Sequence, residues 1–176
     1  MSNVEYYQVY NRKLDKCDLK IARPNYVPNG YYFGIIDVIT YNKRNDSYLI
    51  TKRSKDKGSM PGYLEVTVGC MQYGEDPIDS AIRELKEETG ISKVLLKPFK
   101  TTVSRHALAH TFTAVCDIAP ESIVLQEGET EAYYWYHEDD FKRIWSSSKM
   151  TPIQKSRIEP DLDKIIAQIK EIKDEQ

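Results

Sequence analysis

The stretch GEDPIDSAIRELKEETGIS, Gly74 to Ser92, gathers six carboxylates beside two bases: Glu75, Asp76, Asp79, Glu84, Glu87 and Glu88 against Arg83 and Lys86. Like charges one helical turn apart repel by only about a few tenths of a kcal/mol on a wet surface, so a solvated acidic face is one account. A divalent cation is the other. Hard ions such as Mg²⁺ take oxygen ligands and commonly combine one or two carboxylates with substrate phosphates. The reaction they serve best is displacement at phosphorus, where they bridge phosphate oxygens and offset charge in the transition state.

A helix must position these acids. Asp76 reads as its N-cap, Pro77 suits the first helical position, Asp79 falls in the first turn and Gly90 suits a left-handed stop. At about 100° per residue, Glu84, Glu87 and Glu88 share an arc of roughly 100°. Ile78, Ala81, Ile82 and Leu85 follow a helical period and predict a core-facing stripe on another side.

The flanking pattern supplies strands. YYFGIIDVIT (31–40) reads as a buried strand, SYLITKR (47–53) as its hairpin partner, and YLEVTVG (63–69) as a third strand. In that third strand Leu64, Val66 and Val68 share one face, and Glu65 and Thr67 the other. VLLKPFKTTV (94–103), HTFTAVCDI (110–118) and EAYYWYH (131–137) read as further strands. Helices are expected over 138–146 and 160–173, the latter with Leu162, Ile165, Ile166, Ile169 and Ile172 on one stripe. Residues 1–30 read as a polar, Tyr-rich arm with one short strand. The pattern predicts a single layer-packed domain over 1–176, α/β or α+β.

Gly69, Glu75 and the run Arg83-Glu84-Leu85-Lys86-Glu87-Glu88-Thr89-Gly90-Ile91 fill every specified position of Gly-x5-Glu-x7-Arg-Glu-U-x-Glu-Glu-x-Gly-U, with U aliphatic. This resembles the full Nudix box. LITKRS (49–54), MPGYLEVT (60–67) and EGETEAYYWYHEDDF (127–141) also look like Nudix segments, so the resemblance implies a Nudix core at about 30–145, and EYYQVYNR is similar to the isomerase-like branch of that superfamily.

The resemblance implies a Nudix α/β/α sandwich with a mixed sheet, the box forming a catalytic loop–helix–loop. It implies Mg²⁺- or Mn²⁺-dependent hydrolysis of a nucleoside diphosphate derivative. Carried over by position, Glu87 and Glu88 are metal ligands, and Glu84 is a third ligand or orients the attacking water. Gly69 stands where relatives offer a backbone carbonyl to the metal. Arg83 would hold a glutamate, with Glu75 supporting it. Glu129 looks like the additional acid from a later loop, with Glu127 and Glu131 competing for that role. Relatives often carry Trp where Leu64 stands and Gly where Val68 stands.

The remaining chemistry-bearing residues have ordinary readings. Lys52, Arg53, Lys55 and Lys57 suit a solvated basic loop, or phosphate contact with Arg53 best placed, because guanidinium binds phosphate bidentately. His106, His110 and His137 suit surface or core roles. The three cysteines, Cys17, Cys70 and Cys116, form no CxxC pair, which argues against a disulfide framework or a zinc site and for a reducing cytoplasm. The thirteen tyrosines suit strands and core edges, with some free to stack on a ligand ring.

A net charge of −2 gives no general attraction to nucleic acid or anionic membrane. No signal peptide or membrane span is expected. The terminal helix suits core packing, with a homodimer contact as the alternative. Two rival functions follow from the resemblance. One is a prenyl-diphosphate isomerase-like enzyme, against which Val68 stands where that branch carries its cysteine. The other is a non-hydrolytic nucleotide-binding module, whose relatives usually lose box glutamates that this chain keeps.

Overall fold

The computed structural model describes residues 4–174. β3 (Tyr32–Asn42) is the axis of the molecule. Along one edge it pairs in parallel with β8 (Ala107–Cys116), from Phe33 opposite Ala107 to Asn42 opposite Cys116. Along its other edge three strands follow in turn. β1 (Tyr6–Tyr10) meets its start, β6 (Thr67–Cys70) its middle, and β4 (Ser47–Arg53) its last two residues. β2 (Lys16–Ala22) extends the sheet beyond β1, and β7 (Leu95–Val103) extends it beyond β8. β4 then leaves β3 and pairs with β5 (Leu64–Glu65) and β9 (Thr130–Tyr136).

The stretch expected as one strand over 63–69 is therefore two, broken at Val66, where the chain passes from β4 to β3. The expected SYLITKR hairpin holds only at its turn for the same reason. The N-terminal arm carries two strands rather than one, because its hairpin finds an open edge on β3.

Two hydrophobic cores lie on opposite faces of this mixed sheet. One packs Ile39, Tyr41, Tyr48, Ile50 and Val66 against α2 (Glu138–Ser146), α3 (Pro152–Ile158) and α4 (Leu162–Lys173). All five residues of the α4 stripe are buried. The other core packs Ile36, Val38, Leu108 and Phe112 against α1 (Pro77–Thr89). The result is helix over sheet over helix. α3 was not expected from the sequence.

Two expectations for α1 need correction. Asp76 precedes the helix with extended backbone but makes no side-chain cap bond, and its carboxylate instead pairs with Lys16 Nζ at 2.9 Å. The stripe is also turned. Ala81 and Leu85 are buried with Ser80, Glu84, Glu88 and Thr89, while Ile78 is 50% and Ile82 40% exposed. The helix presses two glutamates onto the sheet and leaves two isoleucines outside. Gly90, at φ 75°, ends it in the left-handed conformation as expected.

Candidate active site

The acid helix lies across β6 and β3, with Glu84 facing Gly69. Glu84 sits against its bare Cα, in the space where any larger residue would carry a side chain. Arg83 is the hub of the helix surface. Its Nε and Nη2 grip both oxygens of Glu75 at 2.6 and 2.9 Å, and Nη1 reaches Glu84 at 2.8 Å and Glu87 at 3.1 Å. Nη2 also donates to the Cys70 carbonyl at 3.1 Å, tying helix to strand. Glu75 in turn accepts the Gln72 backbone N–H at 2.8 Å. Burial alone would raise the Glu75 pKa, but these hydrogen bonds hold it below the ordinary value.

The inner face of the helix is different. Glu88 is 5% exposed, and its Oε2 is buried with no hydrogen-bond partner. Its pKa is pushed well above the ordinary value, first by burial and then by the neighbouring charges of Glu65, Glu84 and Glu129. Glu84 and Glu65 are raised too, chiefly by burial, while Arg83 and Arg53 respectively pull them back.

These groups open into a cleft of about 320 Å³ that brings together Gly69, Arg83, Glu84, Glu87, Glu88, Glu129 and Arg53. Glu129 is carried in by a turn whose carbonyl accepts the Ser54 N–H at 2.9 Å, and its carboxylate pairs with Lys57. Its two competitors stay outside the cleft. Glu127 is exposed, and Glu131 is bonded to Lys52 Nζ at 2.7 Å and to the Lys55 N–H at 3.0 Å. The Arg53 guanidinium lines the cleft with its donors turned to Glu65, at 2.8 and 3.0 Å, and to the Ser59 carbonyl.

Two further bases line the cleft, Lys57 and Arg23, and Glu65 lies behind it. Glu65 falls on the polar strand face by its pattern, but that face is buried, and its carboxylate meets Arg53 and neighbours Glu88. Lys57 was one of four loop bases, and only its pairing with Glu129 sets it apart. Arg23 comes from the N-terminal hairpin, paired with Glu5 at 2.7 Å and 5.7 Å from the Tyr7 ring centre. No histidine lines the cleft. Burial raises the Cys70 thiol pKa, the reverse of an activated nucleophile.

Among the described residues, no three His, Cys, Asp or Glu side chains are already drawn together as a coordination sphere. Arg83 and Lys57 hold the carboxylates in the meantime. The donor set nevertheless suits a hard divalent ion. It is all oxygen, and the partnerless Glu88 carboxylate is a buried charge that only a cation or a proton relieves. A larger groove of about 510 Å³, lined by Tyr63, Tyr134, Tyr136 and Lys149, contains no carboxylate and offers no comparable chemistry.

Comparison with known proteins agrees with this architecture. The model of the NUDIX domain family matches residues 32–157. The protein DR0079 from Deinococcus radiodurans aligns with a TM-score of 0.69 and 15% identity, covering 94% of this chain and 99% of its own. A MutT structure from a study of Aliivibrio salmonicida and Vibrio cholerae gives 0.55 and 23%, covering 77% and 97% respectively. A bifunctional NMN adenylyltransferase/ADP ribose pyrophosphatase from Francisella tularensis gives 0.58 and 20%, covering 81% of this chain and 43% of its own. No curated protein matches the sequence. No helix among the described residues is long and apolar enough to cross a membrane.

Proposed function

The chain belongs to the Nudix superfamily of pyrophosphohydrolases, and we propose on that premise that it hydrolyses a nucleoside diphosphate derivative with the help of Mg²⁺ or Mn²⁺ in the cleft of α1. The observation that carries this reading is the buried Oε2 of Glu88, without a hydrogen-bond partner and close to the carboxylates of Glu65, Glu84 and Glu129. Burying an unpaired charge is costly, and a bound cation offsets that cost.

Glu84, Glu87 and Glu88 would hold the ion, with Gly69 giving the room for close approach and Glu129 adding a carboxylate from the far wall. When bound, the ion supplies Lewis-acid polarisation of the diphosphate and offsets its charge. Arg83 keeps Glu84 and Glu87 aimed, with Glu75 anchoring the guanidinium. Glu84, held by Arg83 and seated against Gly69, is the group to orient the attacking water and accept its proton. Lys57 and Arg23 place positive charge on the walls facing a substrate phosphate. Water attacks one phosphorus, the anhydride P–O bond breaks, and the leaving phosphate carries away the electron pair.

The test is phosphate or nucleotide release over a panel of nucleoside diphosphate derivatives and prenyl diphosphates, with Mg²⁺ and Mn²⁺, for wild type and Glu88→Gln. Hydrolysis of one class by wild type, reduced by about two to three orders of magnitude in the variant, supports the reading. Equal turnover by both proteins, or isomerisation of a prenyl diphosphate without phosphate release, rejects it.

A further inference from the structure

Val66 is the one residue between β5 and β6, where the chain leaves β4 and joins β3. A backbone that passes from one neighbouring strand to another loses its ladder partners at the switch, and a buried N–H or C=O left unpaired is costly. Val66 is 1% exposed, so water cannot serve it. The side chain of Gln154, from α3, supplies both partners. Its Oε1 accepts the Val66 N–H at 3.1 Å, and its Nε2 donates to the Val66 carbonyl at 3.1 Å. The carboxamide thus stands in for a strand residue at the switch.

Its orientation is fixed from behind. Nε2 also donates to Asp37 Oδ1 at 3.0 Å, and a carboxylate is acceptor-only, so the amide cannot flip without facing oxygen to oxygen. Asp37 is fully buried on β3, and Arg157 binds it through Nε at 2.7 Å and Nη2 at 2.6 Å. Gln154 therefore serves both backbone groups of Val66, and Asp37, bound by Arg157, holds it from behind.

The Glu65 side and the Gly69 side of the acid cluster diverge from Val66. Glu65, immediately before Val66, presents its carboxylate to Arg53 and toward Glu88. Gly69, three residues after it, receives Glu84. We propose that Gln154 is a positioning residue for the cation site. From the opposite face of the sheet it sets the break at Val66, and so sets the spacing between the Glu65 side and the Gly69 side. This rests on the acid cluster being a cation site.

The test is Mn²⁺ binding to the full chain, followed by the loss of the free-ion electron paramagnetic resonance signal, below the melting temperature of every variant. Gln154→Met keeps the length and removes all three hydrogen bonds. Gln154→Glu keeps an acceptor for the Val66 N–H but loses the donor and turns a carboxylate oxygen to Asp37 and to the Val66 carbonyl. Ile169→Val, in the α4 core, controls for lost stability alone. The expected result is Mn²⁺ affinity weakened by about tenfold or more in Gln154→Met, by at least as much in Gln154→Glu, and unchanged in Ile169→Val. If either folded Gln154 variant binds Mn²⁺ within about twofold of wild type, or Ile169→Val loses as much as they do, Gln154 is only structural and the inference is overturned. Wild type that binds no Mn²⁺ overturns the inference together with the reading beneath it.

Discussion

The carboxylate of Glu84 occupies the space in which a side chain at residue 69 would begin. A Cβ built on Gly69 would lie 1.9 Å from Glu84 Cδ and 2.1 Å from Oε1, inside any allowed contact. The glycine is required by this approach, and its backbone is that of an ordinary strand. Gly69→Ala must displace Glu84, the residue braced by Arg83. Misplacing a reacting group by about 1 Å costs about 10²-fold, and overpacking costs about 1–3 kcal/mol. Steady-state kinetics and thermal melting of Gly69→Ala are expected to show both losses, whereas Gly58→Ala, in open space, changes neither.

Glu88 predicts a separation of stability from activity. Its folded pKa lies well above the ordinary carboxylate value, so folding favours its protonated form. The unfolded chain releases that proton near pH 4.3, and the stability tied to it declines as pH rises from about that value toward the folded one. In the presence of chelator, Glu88→Gln is therefore expected to melt higher than wild type. The margin should grow with pH across that window and then level off. Added Mg²⁺ should raise the wild-type melting temperature and leave the variant nearly unmoved. A variant that melts lower at every pH contradicts this account.

The site was legible in the sequence where one element carries it. Arg83, Glu84, Glu87 and Glu88 lie on one helix, whose geometry fixes their spacing once the helix is recognised. The phase of the helix was not legible. Ile78 and Ile82 look like core residues by period, but burying Glu84 against Gly69, with Glu88 buried on the same side, turns them outward. The break at Val66 escaped for another reason. A strand pattern marks the two faces of a strand, but it does not say which neighbour supplies the ladder. Asp37 and Arg157 meet across 120 residues, a pairing that local pattern cannot convey. Arg23 likewise reaches the cleft only because its hairpin adds to β3.

Arg83 should not tolerate lysine. Its guanidinium serves Glu75 bidentately while also reaching Glu84, Glu87 and the Cys70 carbonyl. An ammonium keeps the charge and loses the fork. Groups that orient metal ligands typically cost about 10–100-fold when altered, so Arg83→Lys is expected to lose that much in kcat/KM and to need more Mg²⁺ for half-maximal activity. Titrating Mg²⁺ at saturating substrate measures the shift. An unchanged midpoint would show that charge alone suffices.

Three later-loop acids can be ranked by where their carboxylates lie. Glu129 faces the cleft against Lys57, Glu131 is held by Lys52 and the Lys55 N–H, and Glu127 is exposed. Glu129→Gln is expected to lower kcat by about 10-fold or more, within the range for a positioned acid or base. Glu127→Gln and Glu131→Gln are expected to turn over as wild type. Parallel assay of the three variants decides the order, and a larger loss at residue 131 would reverse it.

Arg23 lies outside residues 32–157, the part matched by the family model, yet it lines the same cleft as Glu84 and Glu87. It is tethered by Glu5 at 2.7 Å and rests beside Tyr7, so its guanidinium is held near the opening without contact to any helix carboxylate. Such a group can meet a substrate phosphate without taking part in holding the metal. A cation that binds ground state and transition state alike lowers KM and leaves kcat in place. Arg23→Ala is therefore expected to raise KM by about tenfold, the scale of one charge-assisted hydrogen bond of about 1.4 kcal/mol, with kcat and Mn²⁺ affinity near wild type. Glu5→Gln releases the tether and should move KM by less, in a direction that tells whether the pair aims Arg23 or restrains it. Steady-state curves for both variants give the split, and a fall in kcat with KM unchanged would place Arg23 at the reacting phosphorus instead.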